Sequence, residues 1–321
     1  MDLQTKVEIP SSEEVKICYK DQILSLGSCF AENIGRKLAS SCFDVDVNPF
    51  GVLYNPVSIS NSIELILDNK VFSTSDLFEN KELWQSFSHS SLFSDTNAAS
   101  CLEIINQRLT LASQRMNQVN VLLITFGTAW VFEERKSGRV VSNCHKLPSA
   151  DFERRRLTVS EIVELYGQII TRMQSINPKL EIVFSVSPIR HFKDGAHENN
   201  LSKSTLLLAI NELQSNHEHV HYFPAYEVMM DELRDYRFYS TDMCHPSEQA
   251  VQYIWERFGE TYFSDSTQLL KQKVDQYIKD VSHRPIHPQT SEFKLFLQAV
   301  AKRKASLVNE YPFLENRLNA E

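Results

Sequence analysis

The feature that most constrains this chain is a set of short, almost wholly apolar runs, each closed by a small polar turn. Ile23-Leu24-Ser25-Leu26 stops at Gly27-Ser28, Val121 to Phe126 stops at Gly127-Thr128, and Ile182 to Val186 stops at Ser187-Pro188. A strand wet on one face alternates apolar and polar residues, whereas a continuous apolar run suits a parallel strand covered on both faces. After Ser28, apolar residues at 30, 34 and 38 predict a helix, so the first unit reads strand, tight turn, helix. The segments 57–68, 99–117, 158–175 and 199–214 show the same three-and-four spacing. Val220-His221-Tyr222-Phe223 reads as a weaker edge strand, after which Pro246 suits the first turn of a helix running to about Phe258. This alternation predicts a three-layer α/β/α sandwich with a mainly parallel sheet and right-handed crossovers. From Ser264 the pattern changes to two charged amphipathic helices, about 266–282 and 290–308. We therefore expect a catalytic-type α/β domain over 1–262 and a helical C-terminal extension over 263–321 packed on it.

A chain of 321 residues can bury the core such a fold needs. Its 33 Lys and Arg against 41 Asp and Glu give a net charge of −8, which argues against a nucleic-acid partner. The N-terminus has no basic segment followed by an apolar run, and no stretch reaches membrane-spanning length, so no membrane partner and a cytoplasmic location are expected. Six cysteines without CxxC spacing are expected to be free thiols. With eight glycines in the whole chain, those beside polar residues, Gly27, Gly51 and Gly127, carry more information than usual.

In an open parallel sheet ligands bind beyond the carboxyl ends of the strands, where Ser28, Thr128 and Arg190 all fall. Ser28 also precedes a helix, whose positive end favours a developing oxyanion. A serine hydroxyl needs a base to become a nucleophile, commonly a histidine held by a carboxylate. One compact candidate is present: in Ser240-Thr241-Asp242-Met243-Cys244-His245-Pro246, Asp242 can hold the His245 ring while its other nitrogen faces Ser28. The plain alternatives are that Gly27-Ser28 is only a turn and that Asp242 only caps the following helix. Arg190 either clamps a carboxylate or phosphate on a substrate or holds the acidic 194–198 loop. His89 lies in the long Ser-rich loop 86–97, which is a lid or a rim element, and is either a packed loop histidine or part of the pocket mouth. Two rivals to a metal-free serine site are zinc held by the Cys144-His145 and Cys244-His245 pairs, which lack CxxC or HxxxH spacing, and Cys29 as nucleophile, which we expect to pack under the helix.

The string Gly27-Ser28-Cys29-Phe30-Ala31 resembles the signature of the GSCFA family, which looks like a branch of the SGNH or GDSL-like hydrolases. The likeness extends to Asn48-Pro49-Phe50-Gly51-Val52-Leu53-Tyr54-Asn55-Pro56, Phe126-Gly127-Thr128-Ala129, Asn143-Cys144-His145-Lys146, Ser187-Pro188-Ile189-Arg190-His191 and Asp242-Met243-Cys244-His245-Pro246, about residues 24–258. The resemblance implies a flavodoxin-like SGNH fold and a Ser28, Asp242, His245 triad acting without metal or cofactor. It also implies an oxyanion hole completed by the Gly51 N–H. Where SGNH enzymes carry asparagine in the third block this chain has Ala129, so Thr128 is the first candidate replacement, with Asn143 and His145 next and Gly127 beside them. The implied activity is acyl-ester hydrolysis, deacetylating or acetylating a carbohydrate-type substrate, with a small-molecule or glycan acyl ester as partner. Transfer of the acyl group to an acceptor hydroxyl is equally compatible. The contrasting reading is a binding module on the same fold with a decayed site, self-associating as a homo-oligomer through its C-terminal helices.

Overall fold

The computed structural model describes residues 5–319. In chain order the elements are β1 (Gln22–Gly27), α1 (Cys29–Ser40), β2 (Asp44–Val47), α2 (Pro56–Leu67), β3 (Phe78–Asn80), β4 (Leu83–Gln85), α3 (Ala98–Met116), β5 (Val121–Phe126), β6 (Trp130–Glu134), β7 (Val140–Val141), β8 (Phe152–Arg156), α4 (Val159–Ile176), β9 (Glu181–Val186), α5 (Ala196–Asn216), β10 (Val220–Phe223), α6 (Ala225–Glu227), α7 (Glu248–Tyr262), α8 (Asp265–Val281) and α9 (Ser291–Glu310). Five strands form a parallel sheet in the order β10-β9-β5-β1-β2. All six residues of β5 are buried, as its near-continuous apolar run requires, and the one hydroxyl in it, Thr125, pairs with Ser185 of β9 at 2.8 Å. Counted along the chain the order is 2-1-3-4-5, so the winding reverses between β1 and β5, and a ligand crevice opens where it does.

That reversal sorts the helices into two layers. The inward faces of α2, α3, α4 and α5 pack on Leu24, Leu122, Ile124 and Phe184. On the other face α1 and α7 cover Ile23, Leu123, Val183 and Phe223. Val274 and Tyr277 of α8 and Val300 and Leu307 of α9 belong to this second core, and Arg317 donates to the Tyr19 carbonyl at 2.6 Å. α7 runs against the strands: the Ile17 N–H, just ahead of β1, donates to the Tyr262 carbonyl at 2.8 Å. Its start, with residues 240–247, therefore lies at the carboxyl rim, where α1 also starts.

Three features differ from the sequence reading. The second edge strand β2, Asp-Val-Asp-Val, was not anticipated; its acidic residues are held by Arg115 and Arg108 of α3. Small antiparallel pieces, β3–β4 and β7-β6-β8, occupy the connections. Pro246 precedes α7 rather than entering it, because the Ser247 hydroxyl accepts from the Ala250 N–H at 3.3 Å as N-cap while Pro246 bridges to Tyr239. Among the described residues no helix is long and apolar enough to cross a membrane.

Candidate active site

The turn between β1 and α1 exists because Gly27 has no side chain. Its φ is +136°, and a Cβ there would stand 2.2 Å from the Thr125 carbonyl oxygen of the neighbouring strand. The close approach lets the Ser28 N–H donate to that oxygen at 3.2 Å, while the Gly27 N–H donates to Asn48 Oδ1 at 2.9 Å. Ser28 becomes the N-cap of α1, its Oγ accepting from the Phe30 N–H at 3.3 Å. The residue is 2% exposed. Gly127 lies against it across the switch point, for a Cβ on Gly127 would be 3.4 Å from Ser28 Cβ.

Asp242 and His245 form a preorganised pair. His245 Nδ1 lies 2.5 Å from Asp242 Oδ2, and the other carboxylate oxygen accepts from the Cys244 and His245 N–H groups, each at 2.9 Å. Those backbone donors, His245 first, followed by the ring itself, pull the Asp242 carboxyl down to about 2. An ionised acceptor on Nδ1 assigns the proton of neutral imidazole to that nitrogen and leaves Nε2 as the base. The loop is shaped by Met243 at φ +56° and by the Ser240 N–H donating to the His245 carbonyl at 2.7 Å. Asp242 is thus not the helix cap, a role that Ser247 fills.

Topology puts this pair and Ser28 on one rim, since α1 and the loop before α7 both start at the carboxyl ends of the strands. His191, which follows β9 at the same rim, has its ring 6.2 Å from Tyr54 in an edge-on arrangement. The Tyr54 carbonyl accepts from the Gly127 and Thr128 N–H groups at 2.8 and 2.9 Å, and its hydroxyl meets Cys29 Sγ at 3.4 Å. Burial first, and the Lys203 charge second, push the His191 ring down to about 4, so it is neutral at pH 7. Among the described hydrogen bonds none joins Ser28 Oγ to His245 Nε2. Asp242 and His245 are each 49% exposed, whereas Ser28 is almost fully buried.

The expected oxyanion donors are mostly engaged elsewhere, the Ser28 N–H, expected to act with that of Gly51, among them, since it donates to the Thr125 carbonyl. The Gly51 N–H donates to the Asn48 carbonyl at 2.7 Å, closing a tight turn; a Cβ on Gly51 would fall 1.9 Å from Ser90 Oγ. Gly51 faces a separate groove of about 500 Å³ between α1 and α3, lined by Glu32, Arg36 and Arg108. The Gly127 and Thr128 N–H groups are held by Tyr54, and Thr128 Oγ1 accepts from the Trp130 N–H while pairing with Ser202 of α5. Asn143 donates to Ser91 Oγ and accepts from the His145 N–H. His145, buried, donates from Nε2 to the Ser86 carbonyl at 2.8 Å. His89 is stacked on Phe50 at 4.6 Å, and burial pushes its ring down to about 3. The 86–97 loop is a packed wedge rather than an open lid: the Ser90 N–H donates to the Phe50 carbonyl at 2.9 Å, and Phe93 and His89 are buried. The N–H of Cys29 remains: as the first residue of α1 it has no intrahelical acceptor. Cys29 itself is half-buried beside Tyr54 rather than tucked under the helix.

Sequence reasoning missed Lys203. It is fully buried in α5 and donates to the Gly127 carbonyl at 2.7 Å and the Ser187 carbonyl at 2.6 Å, tying the ends of β5 and β9. Burial, followed by the Arg190 charge, pushes its ammonium down to about 7. The signal was present: Asn199, Lys203, Leu206, Ile210 and Leu213 form one helical stripe, so Lys203 occupies a core position. Arg190 sits half-buried at the same rim, with Nη2 3.5 Å from the Tyr226 hydroxyl. It does not hold the acidic loop, since Asp194 pairs with Arg154 and Glu198 with Arg156.

Comparison with curated proteins gives no match. The GSCFA family description matches residues 22–258, a span that runs from β1 through the Asp242–His245 loop into α7 and so contains the whole rim described above. The chain belongs to the GSCFA family.

Proposed function

We propose that the chain is a serine-dependent acyl-ester hydrolase of SGNH type, with Ser28 as nucleophile, His245 as base and Asp242 as its orienting carboxylate. One observation carries this reading: an ionised Asp242 already bonded to His245 Nδ1, on the same rim as a serine seated at the switch point of the sheet. In the reaction His245 Nε2 takes the Ser28 hydroxyl proton as Oγ attacks the ester carbonyl carbon. The carbonyl π electrons move onto oxygen, and the Cys29 N–H, at the positive end of α1, is the donor available to that oxyanion. Collapse expels the alcohol, which takes the proton from His245, and leaves an acyl-serine. Water or an acceptor hydroxyl then repeats the steps in reverse, regenerating Ser28. The Ser28 side chain must give up its contact with the Phe30 N–H, a cap bond of about 1 kcal/mol, to reach the substrate. Acetyl esters of carbohydrates are the first substrates to try, by analogy with the superfamily. Purified protein should hydrolyse 4-nitrophenyl acetate, and Ser28→Ala should abolish the turnover; activity surviving that change would refute the assignment.

A second reading is favoured by one observation: Ser28 is almost buried and its oxygen serves its own helix. On this view the rim is a binding module whose serine is only a cap. Saturation binding of an acetylated sugar without turnover by the wild-type chain would select it.

A further inference from the structure

Arg190 is the arginine whose surroundings call for an anion. Among the described residues its guanidinium has no carboxylate within ion-pair distance, and its polar contact is the Tyr226 hydroxyl at 3.5 Å. Thirteen other arginines are each paired with an acid. The two remaining, Arg139 and Arg284, are exposed to water, whereas Arg190 is half-buried. The acids near it in sequence or space are committed elsewhere. Asp194 and Glu198 belong to Arg154 and Arg156, Glu227 accepts the Tyr222 hydroxyl at 2.7 Å, and Asp242 serves its own loop and His245.

A second cation stands behind the first. Lys203 Nζ lies 5.7 Å from the centre of the Tyr226 ring, on the residue whose hydroxyl Arg190 touches, and its acceptors are the neutral carbonyls of Gly127 and Ser187. Gly127 in turn lies against Ser28. Arg190, and Lys203 while it holds its proton, are drawn out of bulk water with no acidic partner and leave a positive field beside the serine; desolvated charge of one sign is normally neutralised by a partner. A guanidinium on a rim can supply that partner bidentately to a carboxylate or phosphate.

We infer that Arg190, with the Tyr226 hydroxyl beside it and Lys203 behind, binds a carboxylate or phosphate group on the substrate, so that the ester processed at this rim is an anionic one. The inference rests on the esterase reading for the word ester, and on Arg190 alone for the anion. Non-hydrolysable amides separate the two: 4-acetamidobenzoate, 4-acetamidophenyl phosphate and the neutral methyl 4-acetamidobenzoate, titrated calorimetrically against the full chain. At least one anion should bind about tenfold or more tightly than the methyl ester, the ratio expected of a charge-assisted hydrogen bond. Arg190→Gln should erase that ratio and Arg190→Lys should retain part of it, with circular dichroism unchanged. Which anion wins identifies the group. Equal affinity for all three probes, no binding of any of them, or a preference that survives in Arg190→Gln would overturn the inference. An intact anion preference in a chain whose Ser28 resists a fluorophosphonate would remove the esterase reading and leave the anion site standing.

Discussion

Replacing Gly27 by alanine tests the strand-to-helix turn on which the whole site is built. At φ +136° an L side chain costs about 1–2 kcal/mol through local sterics alone. The added Cβ would also stand 2.2 Å from the Thr125 oxygen and 3.0 Å from Thr125 C and N, all backbone of the adjacent strand, so no side chain can rotate away. Relief requires the end of β1 to move from β5 by roughly 1 Å, which strains the Gly27–Thr125 pairing and the 3.2 Å Ser28 N–H bond to Thr125. Those losses are worth about 1 kcal/mol each. The sum is about 3–4 kcal/mol, a large part of the 5–15 kcal/mol typical of a folded domain. Gly138→Ala is the control: its φ is +68°, but nothing lies within 4 Å of its Cβ, so only the local cost of about 1 kcal/mol applies. Urea unfolding of the two variants, with m unchanged, reads the difference as a shift in midpoint. Losses equal within about 0.5 kcal/mol would refute the claim that Gly27 is required by close approach to Thr125.

Other perturbations follow from the same geometry. Asp242→Asn keeps an acceptor for the loop N–H groups but permits the wrong His245 tautomer, so kcat should fall about 10⁴-fold, with a lowered melting temperature from losing the ionised carboxylate but a folded chain by circular dichroism; a loss of kcat under tenfold would contradict the orienting role. Because the folded Asp242 carboxyl titrates near 2, below its unfolded value of about 3.9, the stability it adds is complete above pH 4 and is lost as pH falls toward 2; an acid titration of Asp242 by carbon NMR checks this. Folded Lys203 sheds its proton near pH 7, whereas the unfolded side chain keeps its own to about 10.4, so between those values the unfolded chain binds more protons and stability rises with pH. The wild type should therefore gain on Lys203→Met by about 1.4 kcal/mol per pH unit from pH 7 upward, and a flat difference would contradict a titrating buried amine.

The strands and helices were legible because burial on both faces leaves a continuous apolar run and burial on one helix face leaves a stripe. β5 and β9 had no competing reading, while β2 escaped because Asp44 and Asp46 break its apolar run; the acids are tolerated through Arg115 and Arg108, which arrive from α3. Asp242 and His245 were legible as a three-residue spacing within one loop, a local relation. Which N–H could serve the proposed oxyanion was not, since whether an N–H is free depends on which distant carbonyl has claimed it. Asn48 takes Gly51, and Tyr54 takes Gly127 and Thr128. His89 read first as a packed loop histidine with the pocket mouth as its alternative, and His145 as either; in the structure Phe50, Phe72 and Phe93 close around the first and the Ser86 carbonyl meets the second.

Reaction of the full chain with a fluorophosphonate, followed by peptide mapping, tests most directly whether Ser28 is activated by a histidine from more than two hundred residues downstream. A single phosphonylated residue, Ser28, is expected, with labelling slowed at least a hundredfold in His245→Ala. No modification of Ser28, or labelling at the same rate without the His245 ring, would contradict it.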